Sequence, residues 1–221
     1  QTITPSIKVM GIGGAGGNTI NSLVDAGCQG ICLIAANTDS QALNQSKAHI
    51  KIQLGVKATK GLGAGASPAL GAHAAQEDLD KIVESLSAAD VVFLTAGMGG
   101  GTGSGALPVI ANALKKEDIL TIGVVTTPFN FEGKRRALVA QKAIDEIKNC
   151  VDALIVVPNQ RLLEVVDVKT SMIESFAVIN SHLVSAVKSI ADIITKPGYI
   201  NLDFADLKAT MKNMGRAMMG T

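Results

Sequence analysis

The chain contains no tryptophan, and aromatic residues make up only 3% of its 221 residues. Proteins that bind single-stranded nucleic acid without sequence preference stack the bases on aromatic side chains, so this class of partner is not expected. The 20 basic residues nearly balance the 19 acidic ones, and the resulting net charge of +1 provides no field that attracts a polyanion. Composition therefore predicts no nucleic-acid partner.

Cysteine and long apolar runs are also scarce. The three cysteines, Cys28, Cys32 and Cys150, provide no disulfide framework and no spacing typical of a metal site. Apolar stretches such as 153–157 are far shorter than the roughly 20 residues of a membrane span. The N-terminus lacks the basic and apolar regions of a signal peptide. These features predict a cytoplasmic protein without direct membrane insertion.

Glycine, in contrast, is abundant, and the densest cluster is the segment GMGGGTGSG at 97–105. It lies between a predicted strand at 91–96 and a predicted helix at 106–116. Closely spaced glycines let backbone N–H groups approach a ligand without Cβ clashes, and N–H groups that converge at a helix start bind anions. A flexible linker is the alternative, but the position of the segment between a buried strand and a helix favours a phosphate site.

Two further glycine segments, at 11–16 and 61–66, indicate which kind of phosphate ligand is expected. The sequence has no P-loop, because its only Gly-Lys pair, Gly133-Lys134, is followed by Arg135. Residues 11–16 contain the dinucleotide pattern GxGxxG, and Asp39 lies roughly where a ribose-binding acid belongs. An NAD(P)-binding Rossmann oxidoreductase is therefore the alternative function. A third glycine segment at 61–66 favours a triphosphate held from several sides over the single pyrophosphate of a dinucleotide.

Short apolar runs alternate with helical patterns along the chain. This order predicts an α/β fold: a Rossmann-like, three-layer parallel sheet with helices on both faces. A long helix over 172–194 is predicted by its apolar stripe and by the Ser171/Glu174 capping box. A last helix is predicted from Asp203 to the end of the chain. The predicted strands are 7–11, 31–36, 91–96, 121–126 and 154–158, and the other predicted helices are 18–26, 67–87, 106–116 and 134–149.

These motifs together resemble the tubulin/FtsZ family, in family order and with family spacing. Three positions differ from the common family pattern: Ala15 replaces a frequent Gly, Ser104 replaces Thr, and Gln160 replaces Asp. The segments that carry the resemblance are GGAGGN at 13–18, NTD at 37–39, KGLGAGA at 60–66, GMGGGTGSG at 97–105, PFNFEGKRR at 128–136, PN at 158–159, Asn180 and NLDFAD at 201–206.

The resemblance implies a GTPase that binds GTP and GDP, with Mg²⁺ held mainly through phosphates and water rather than by side chains. Glu132 and Arg136 would hold the ribose, and Asn159 and Asn180 would read the guanine edge, because an amide offers a donor and an acceptor in one plane. Phe176 could stack on the base or pack in the core. The predicted nucleotide-binding residues are Gly14, Ala15, Gly16, Gly17, Asn18, Asn37, Asp39, Ala64, Gly65, Ala66, Gly99, Gly100, Gly101, Thr102, Gly103, Glu132, Arg136, Asn159, Phe176 and Asn180.

The catalytic residues implied by the resemblance are Asn201, Asp203 and Asp206. From the sequence alone, Asp203 and Asp206 are better explained as a helix cap and its partner. In the family these acids complete the site of the neighbouring subunit in a head-to-tail homopolymer at the division site. Division-ring regulators and membrane tethers are further partners of the full-length family members.

The resemblance also divides the chain. We expect a GTP-binding domain at 1–170, a central helix at 171–198, and the synergy loop with its following helix at 199–221. The family's C-terminal domain is expected to be absent from this chain, which predicts slow GTP turnover.

Overall fold

The computed structural model describes residues 5–161, 171–195, 204–212 and 215–218. Within them, seven strands form one parallel sheet with the order β3-β2-β1-β4-β5-β6-β7. The strands are β1 Ile7–Ile12, β2 Ile31–Asn37, β3 Ile50–Gln53, β4 Val91–Gly97, β5 Leu120–Thr127, β6 Ala153–Pro158 and β7 Gly215–Met218. The helices are α1 Gly13–Asp25, α2 Ser40–Asn44, α3 Val56–Thr59, α4 Pro68–Glu77, α5 Leu79–Leu86, α6 Thr102–Leu114, α7 Lys134–Ile147, α8 Met172–Thr195 and α9 Phe204–Met211.

Both faces of the sheet are covered, which explains why the central strands are apolar throughout rather than alternating. One core cluster contains buried residues of α4, α5, α6 and α7, including Ile82 and Ile110. The other contains buried residues of α1 and α8, including Leu23 and Val187. The structure therefore confirms the predicted three-layer α/β fold, and all five predicted strands are present.

The strand order changes direction between β1 and β4, because the chain builds outward from β1 to β3 and then returns to β4. Ligands of open α/β sheets bind beyond the carboxyl ends of the strands at such a switch point. The register pairs Ile12 with Ala96 at that edge, so the glycine segments that follow β1 and β4 emerge side by side.

Helix α8 agrees with its prediction. Glu174 accepts hydrogen bonds from the backbone and hydroxyl of Ser171, and the Ser171 hydroxyl accepts one from the Glu174 N–H. These bonds form the predicted capping box and lower the pKa of Glu174. The helix packs against α1 and β5. By length and composition alone Ile173–Thr195 could also cross a membrane, a test that a packing helix of a soluble protein passes as well.

The end of the chain differs from its prediction. The helix that was expected to run from Asp203 to the C-terminus ends at Met211, and residues 215–218 form β7 beside β6. The residues of β7 include no β-branched side chain, so their sequence carries no strand signal. The short edge strand β3 was missed as well, and the helix predicted over 67–87 is two helices that meet at Asp78. The domain limits at 170 and 198 stay predictions.

Helices α1 and α6 begin earlier than predicted, inside the glycine segments. Low helix propensity argued for later starts, but close packing requires glycine there. A Cβ placed at Gly16 would lie 2.6 Å from the Thr95 carbonyl oxygen, and one at Gly105 would lie 1.9 Å from that of Pro68. These glycines bring α1 onto β4 and α6 onto α4 at backbone distance.

Two glycines inside these helices should change the free energy of unfolding in opposite directions when each is replaced by alanine. Gly105→Ala should destabilise the chain by about 1–3 kcal/mol, because the added methyl overpacks the α4–α6 contact. Gly17→Ala should stabilise it by about 0.5–1 kcal/mol, because alanine is the better helix former and nothing lies within 4 Å of a Cβ there. Urea unfolding without nucleotide measures both, and equal effects would contradict the packing argument.

Candidate functional site

A cleft of about 470 Å³ lies at the carboxyl ends of β1, β4 and β5. All three glycine segments reach it, as the sequence predicted for a ligand held from several sides. The predicted nucleotide-binding residues that line the cleft are Gly14, Ala15, Asn37, Asp39, Ala64, Gly65, Gly100, Gly101, Thr102, Gly103, Glu132, Arg136, Asn159 and Phe176.

Two helices of 13 residues begin at this cleft. Helix α1 starts after Ile12 and α6 after Gly101, and neither helix start has a side-chain cap or an acidic residue in its first turn. The two starts are close together, since a Cβ on Gly13 would lie 3.3 Å from the Gly103 nitrogen. Uncapped N–H groups and two helix dipoles therefore favour a negatively charged ligand in the cleft.

A polar acceptor lines the cleft away from the helix starts. Asn159 is 5% exposed, and its Oδ1 atom has no hydrogen-bond partner among the described residues. A buried acceptor without a partner is costly, so such atoms usually receive a hydrogen bond from a ligand or water. Asn159 therefore has an acceptor available for an N–H group of a ligand or for a water molecule.

Charged and aromatic side chains form one wall of the cleft. Glu132 accepts a hydrogen bond from the Phe129 N–H at 3.0 Å and forms an ion pair with Arg136. Phe129 stacks on Phe131 at 4.8 Å and meets Phe176 edge-on at 5.3 Å. Phe176 is 43% exposed, so its ring both packs on Phe129 and remains accessible in the cleft.

Six predicted residues do not line the main cleft. Gly16 is buried between α1 and β4, where it serves packing. Gly17 and Asn18 line a smaller adjoining cleft of about 100 Å³. Asn180 is half-buried on α8, one turn beyond Phe176, while Gly99 and Ala66 flank residues that do line the main cleft. Ligand contacts of these six residues stay predictions.

Asn37 and Asp39 have structural partners at the end of β2. The Asp39 carboxylate caps α2 by accepting hydrogen bonds from the N–H groups of Gln41 and Ala42 at 2.9 and 3.1 Å. The Asn37 side chain accepts one from the Asp39 N–H. Both capping bonds go to Oδ1, so a structural role at the start of α2 accounts for an acid at this position without a dinucleotide ligand.

A profile of the tubulin/FtsZ family, described as its GTPase domain, matches residues 6–167. The chain belongs to this family. It is 52% identical to the cell division protein FtsZ of Bartonella bacilliformis over 99% of this chain and 37% of that protein. It is 50% identical to FtsZ of Caulobacter vibrioides (strain NA1000 / CB15N) over 99% of this chain and 43% of that protein. The chain thus spans less than half the length of these curated relatives.

The fold of the family agrees as well. The solved structure of an empty FtsZ dimer from M. jannaschii matches with a TM-score of 0.93 and 44% identity, covering 98% of this chain and 63% of that chain. The predicted family membership and fold class are confirmed, and the oxidoreductase alternative is not favoured.

Two departures from the common tubulin/FtsZ pattern have visible partners. The Ser104 hydroxyl accepts a buried hydrogen bond from the Gly99 N–H at 2.8 Å and thereby closes the glycine turn. The Gln160 side chain accepts one from the Asn130 N–H at 3.0 Å and ties the end of β6 to the segment that carries Glu132. Neither partner could be predicted from the sequence.

A contact between Thr38 and Thr102 was also missed. Their hydroxyl groups lie 2.7 Å apart and connect the end of β2 to the start of α6. Neither residue pattern nor spacing indicates such a pair, because 64 positions separate the two residues.

Of the predicted catalytic residues, Asn201 and Asp203 lie outside the described residues. Asp206 is exposed in the first turn of α9. That helix is held by Lys208 and Lys212, which both pair with Asp118 and lower the pKa of its carboxyl group. Asp118 precedes β5, whereas the cleft lies beyond the carboxyl ends of the strands. Asp206 and the cleft therefore lie at opposite ends of the sheet.

The Ser104 contact can be tested by stability alone. Ser104→Ala should lower the free energy of unfolding by about 1–3 kcal/mol, because the buried Gly99 N–H loses its acceptor. Ser104→Thr should retain most of the stability, since the hydroxyl remains. Urea unfolding of both variants without nucleotide checks this, and an equal loss in the two would mean that volume, not the hydrogen bond, matters at this position.

Proposed function

We propose that this chain is the nucleotide-binding part of a GTP-hydrolysing cell-division protein that polymerises head to tail. The observation that carries the proposal is one cleft in which two uncapped helix starts meet a buried amide acceptor that has no partner in the described part of the chain. The helix starts suit phosphates, and the amide suits a base with N–H donors. The protein would act in the cytoplasm at the division site, where regulators and membrane tethers bind its full-length form.

The phosphates would lie over the starts of α1 and α6. Gly14 and Ala15 offer N–H groups to the α- and β-phosphates, while Gly101, Thr102 and Gly103 hold the phosphate tail. Ala64 and Gly65 approach the same space from the third glycine segment, where the γ-phosphate would be. Backbone N–H groups discriminate by charge and position, so this end of the cleft should accept any nucleoside triphosphate.

The base end would provide selectivity for guanine. Asn159 accepts from the N1–H and 2-amino groups that guanine has and adenine lacks, and Asn180 is proposed to act with it. Phe176 offers an exposed ring face beside them. Glu132 and Arg136, paired with each other, would contact the ribose between base and phosphates.

Mg²⁺ would be bound through the nucleotide. The described residues contain no cluster of three or more His, Cys, Asp or Glu side chains that could hold a metal ion. The two carboxylates that line the cleft, Asp39 and Glu132, already have partners. This donor set fits an ion held mainly by phosphate oxygens and water, which supplies charge stabilisation to the phosphates.

Hydrolysis would require two subunits. Asp206 lies at the opposite end of the sheet from the cleft, and α8, which has 24 residues and spans about 36 Å, separates the base-reading end from α9. One molecule cannot place its own acid on its own γ-phosphate. In a head-to-tail pair, Asn201, Asp203 and Asp206 of one subunit would orient the attacking water in the cleft of the next.

The division between base and phosphate contacts gives a prediction of selectivity. The parent chain should bind GDP and GTP more tightly than ATP, because adenine leaves the Asn159 acceptor unpaired at a cost of about 1–3 kcal/mol. Asn159→Ala should weaken guanine nucleotides and narrow the gap to ATP. Calorimetric titration with GDP, GTP and ATP measures each affinity.

A matched variant at the phosphate end serves as the control. A Cβ at Gly100 meets no protein atom within 4 Å and would point into space that the phosphates need. Gly100→Ala should therefore weaken all three nucleotides to the same extent. Equal affinity of the parent for ATP and GTP, or loss of selectivity in Gly100→Ala, would contradict the assigned roles.

The shared site gives a prediction about rate. GTP turnover by this chain alone should be slow, and the rate per molecule should fall on dilution because a complete site needs two molecules. Phosphate release measured across a range of protein concentrations checks this. A brisk rate that stays constant per molecule on dilution would mean an intramolecular site and would overturn the shared mechanism.

A further inference from the structure

The glycine segment at 61–66, which approaches the proposed γ-phosphate position, belongs to a loop whose two ends are joined by two carboxylates. Helix α3 precedes this segment and α4 follows it. At the end of α4, the Asp78 carboxylate accepts a hydrogen bond from the Gly55 N–H at 2.8 Å. The neighbouring Glu77 carboxylate accepts from the N–H groups of Lys57 and Ala58 at 3.0 and 3.2 Å. These hydrogen bonds therefore join the two ends of the segment 55–78.

We call the contacts of Asp78 with Gly55 and of Glu77 with Lys57 and Ala58 the joint between α3 and α4. Its Asp78 part is buried and closely packed. Asp78 is 5% exposed, and the hydrogen bond to the Gly55 N–H is buried. Gly55 has a φ of 60°, and a Cβ there would lie 2.4 Å from the Ala74 Cβ, so the backbone of this residue packs directly on α4. Lys81 donates to the second Asp78 oxygen at 2.6 Å, and this contact raises the pKa of Lys81. The carboxylate thus has two donors, the buried Gly55 N–H and the largely exposed Lys81 ammonium, and the buried, charge-assisted bond from Gly55 is the one that joins the two segments.

The joint is one of the contacts that position the glycine segment, beside the hydrogen bond that the Ser40 N–H donates to the Gly61 carbonyl at 3.0 Å. Helix α4 is fixed to α6, because a Cβ at Gly71 would lie 2.3 Å from the Gly101 carbonyl oxygen. Through Asp78, the same helix fixes the start of α3. The segment then leaves α3 and is tied at Gly63, whose N–H donates to the Thr38 carbonyl at 3.2 Å, before it reaches Gly65 in the cleft.

We propose that Asp78 is a positioning residue that sets the distance of the Ala64–Gly65 backbone from the terminal phosphate and thereby favours a nucleoside triphosphate over a diphosphate. This inference rests on the proposed function. Asp78 does not line the cleft itself and acts through Gly55 and α3. Gly14 and Ala15, which would hold the α- and β-phosphates, lie at the start of α1 rather than on α3 or α4, so binding of a diphosphate should depend much less on this joint.

The test compares affinities for GDP and for a non-hydrolysable GTP analogue by calorimetry. Asp78→Ala should weaken the analogue about tenfold and GDP less than about twofold, the size expected when one hydrogen bond to a charged group no longer holds its partner in place. Asp78→Asn retains an acceptor for the Gly55 N–H and should restore most of the difference. Asp80→Ala, which removes an exposed carboxylate two residues away, is the matched control and should leave both affinities unchanged.

The affinity ratio distinguishes positioning from a general loss of stability, which would weaken both ligands together. If Asp78→Ala does not fold, Glu77→Ala removes the two exposed contacts of the same joint and should change the ratio in the same direction. An unchanged ratio, or equal losses for both ligands, overturns the inference. If the parent chain binds neither ligand, the proposed function itself fails.

Discussion

The pairing of β1 with β4 is the constraint on which the rest of the site depends. Their register places Ile12 beside Ala96, so that the two glycine segments leave the sheet as neighbours. Helices α1 and α6 can then begin within contact distance of each other only if no side chain separates them from the sheet. Gly16, whose missing Cβ allows approach to the Thr95 carbonyl, meets that requirement. The donors that face an anion in the cleft are thus uncapped backbone N–H groups at two helix starts, placed there by backbone geometry.

The two ends of the sheet have different chemistry. The carboxyl ends carry backbone donors and the Asn159 acceptor, while the amino end of β5 carries Asp118 and, through it, the helix with Asp206. This separation follows from the parallel sheet. All strands point the same way, so the loops that leave the strands lie at one end and the loops that enter them lie at the other. Both ends belong to one core, so the distance between them is fixed within a molecule.

The sequence predicted the parts that depend on periodicity or on composition. The central strands, α8 with its cap at Ser171, and the convergence of three glycine segments were all predicted. It could not predict where α1 and α6 begin, because their glycines serve backbone contacts with residues such as Thr95 and Pro68 that are distant in the chain. The partners of Ser104 and Gln160 likewise depend on tertiary neighbours, as does the lack of a partner for Asn159 Oδ1 within the residues that the structure describes. Strand β7 is defined by its pairing with β6 rather than by its side chains.

The outermost strands of the described sheet, β3 and β7, have four residues each, whereas the strands between them have six to eight. So short a row of unpaired backbone groups is a poor template for another chain, and Lys51 in β3 adds a charge at one border. Lateral growth by strand addition is thereby disfavoured on both sides. A sheet with such short borders resists edge-to-edge merging with a second copy even when the local concentration is high.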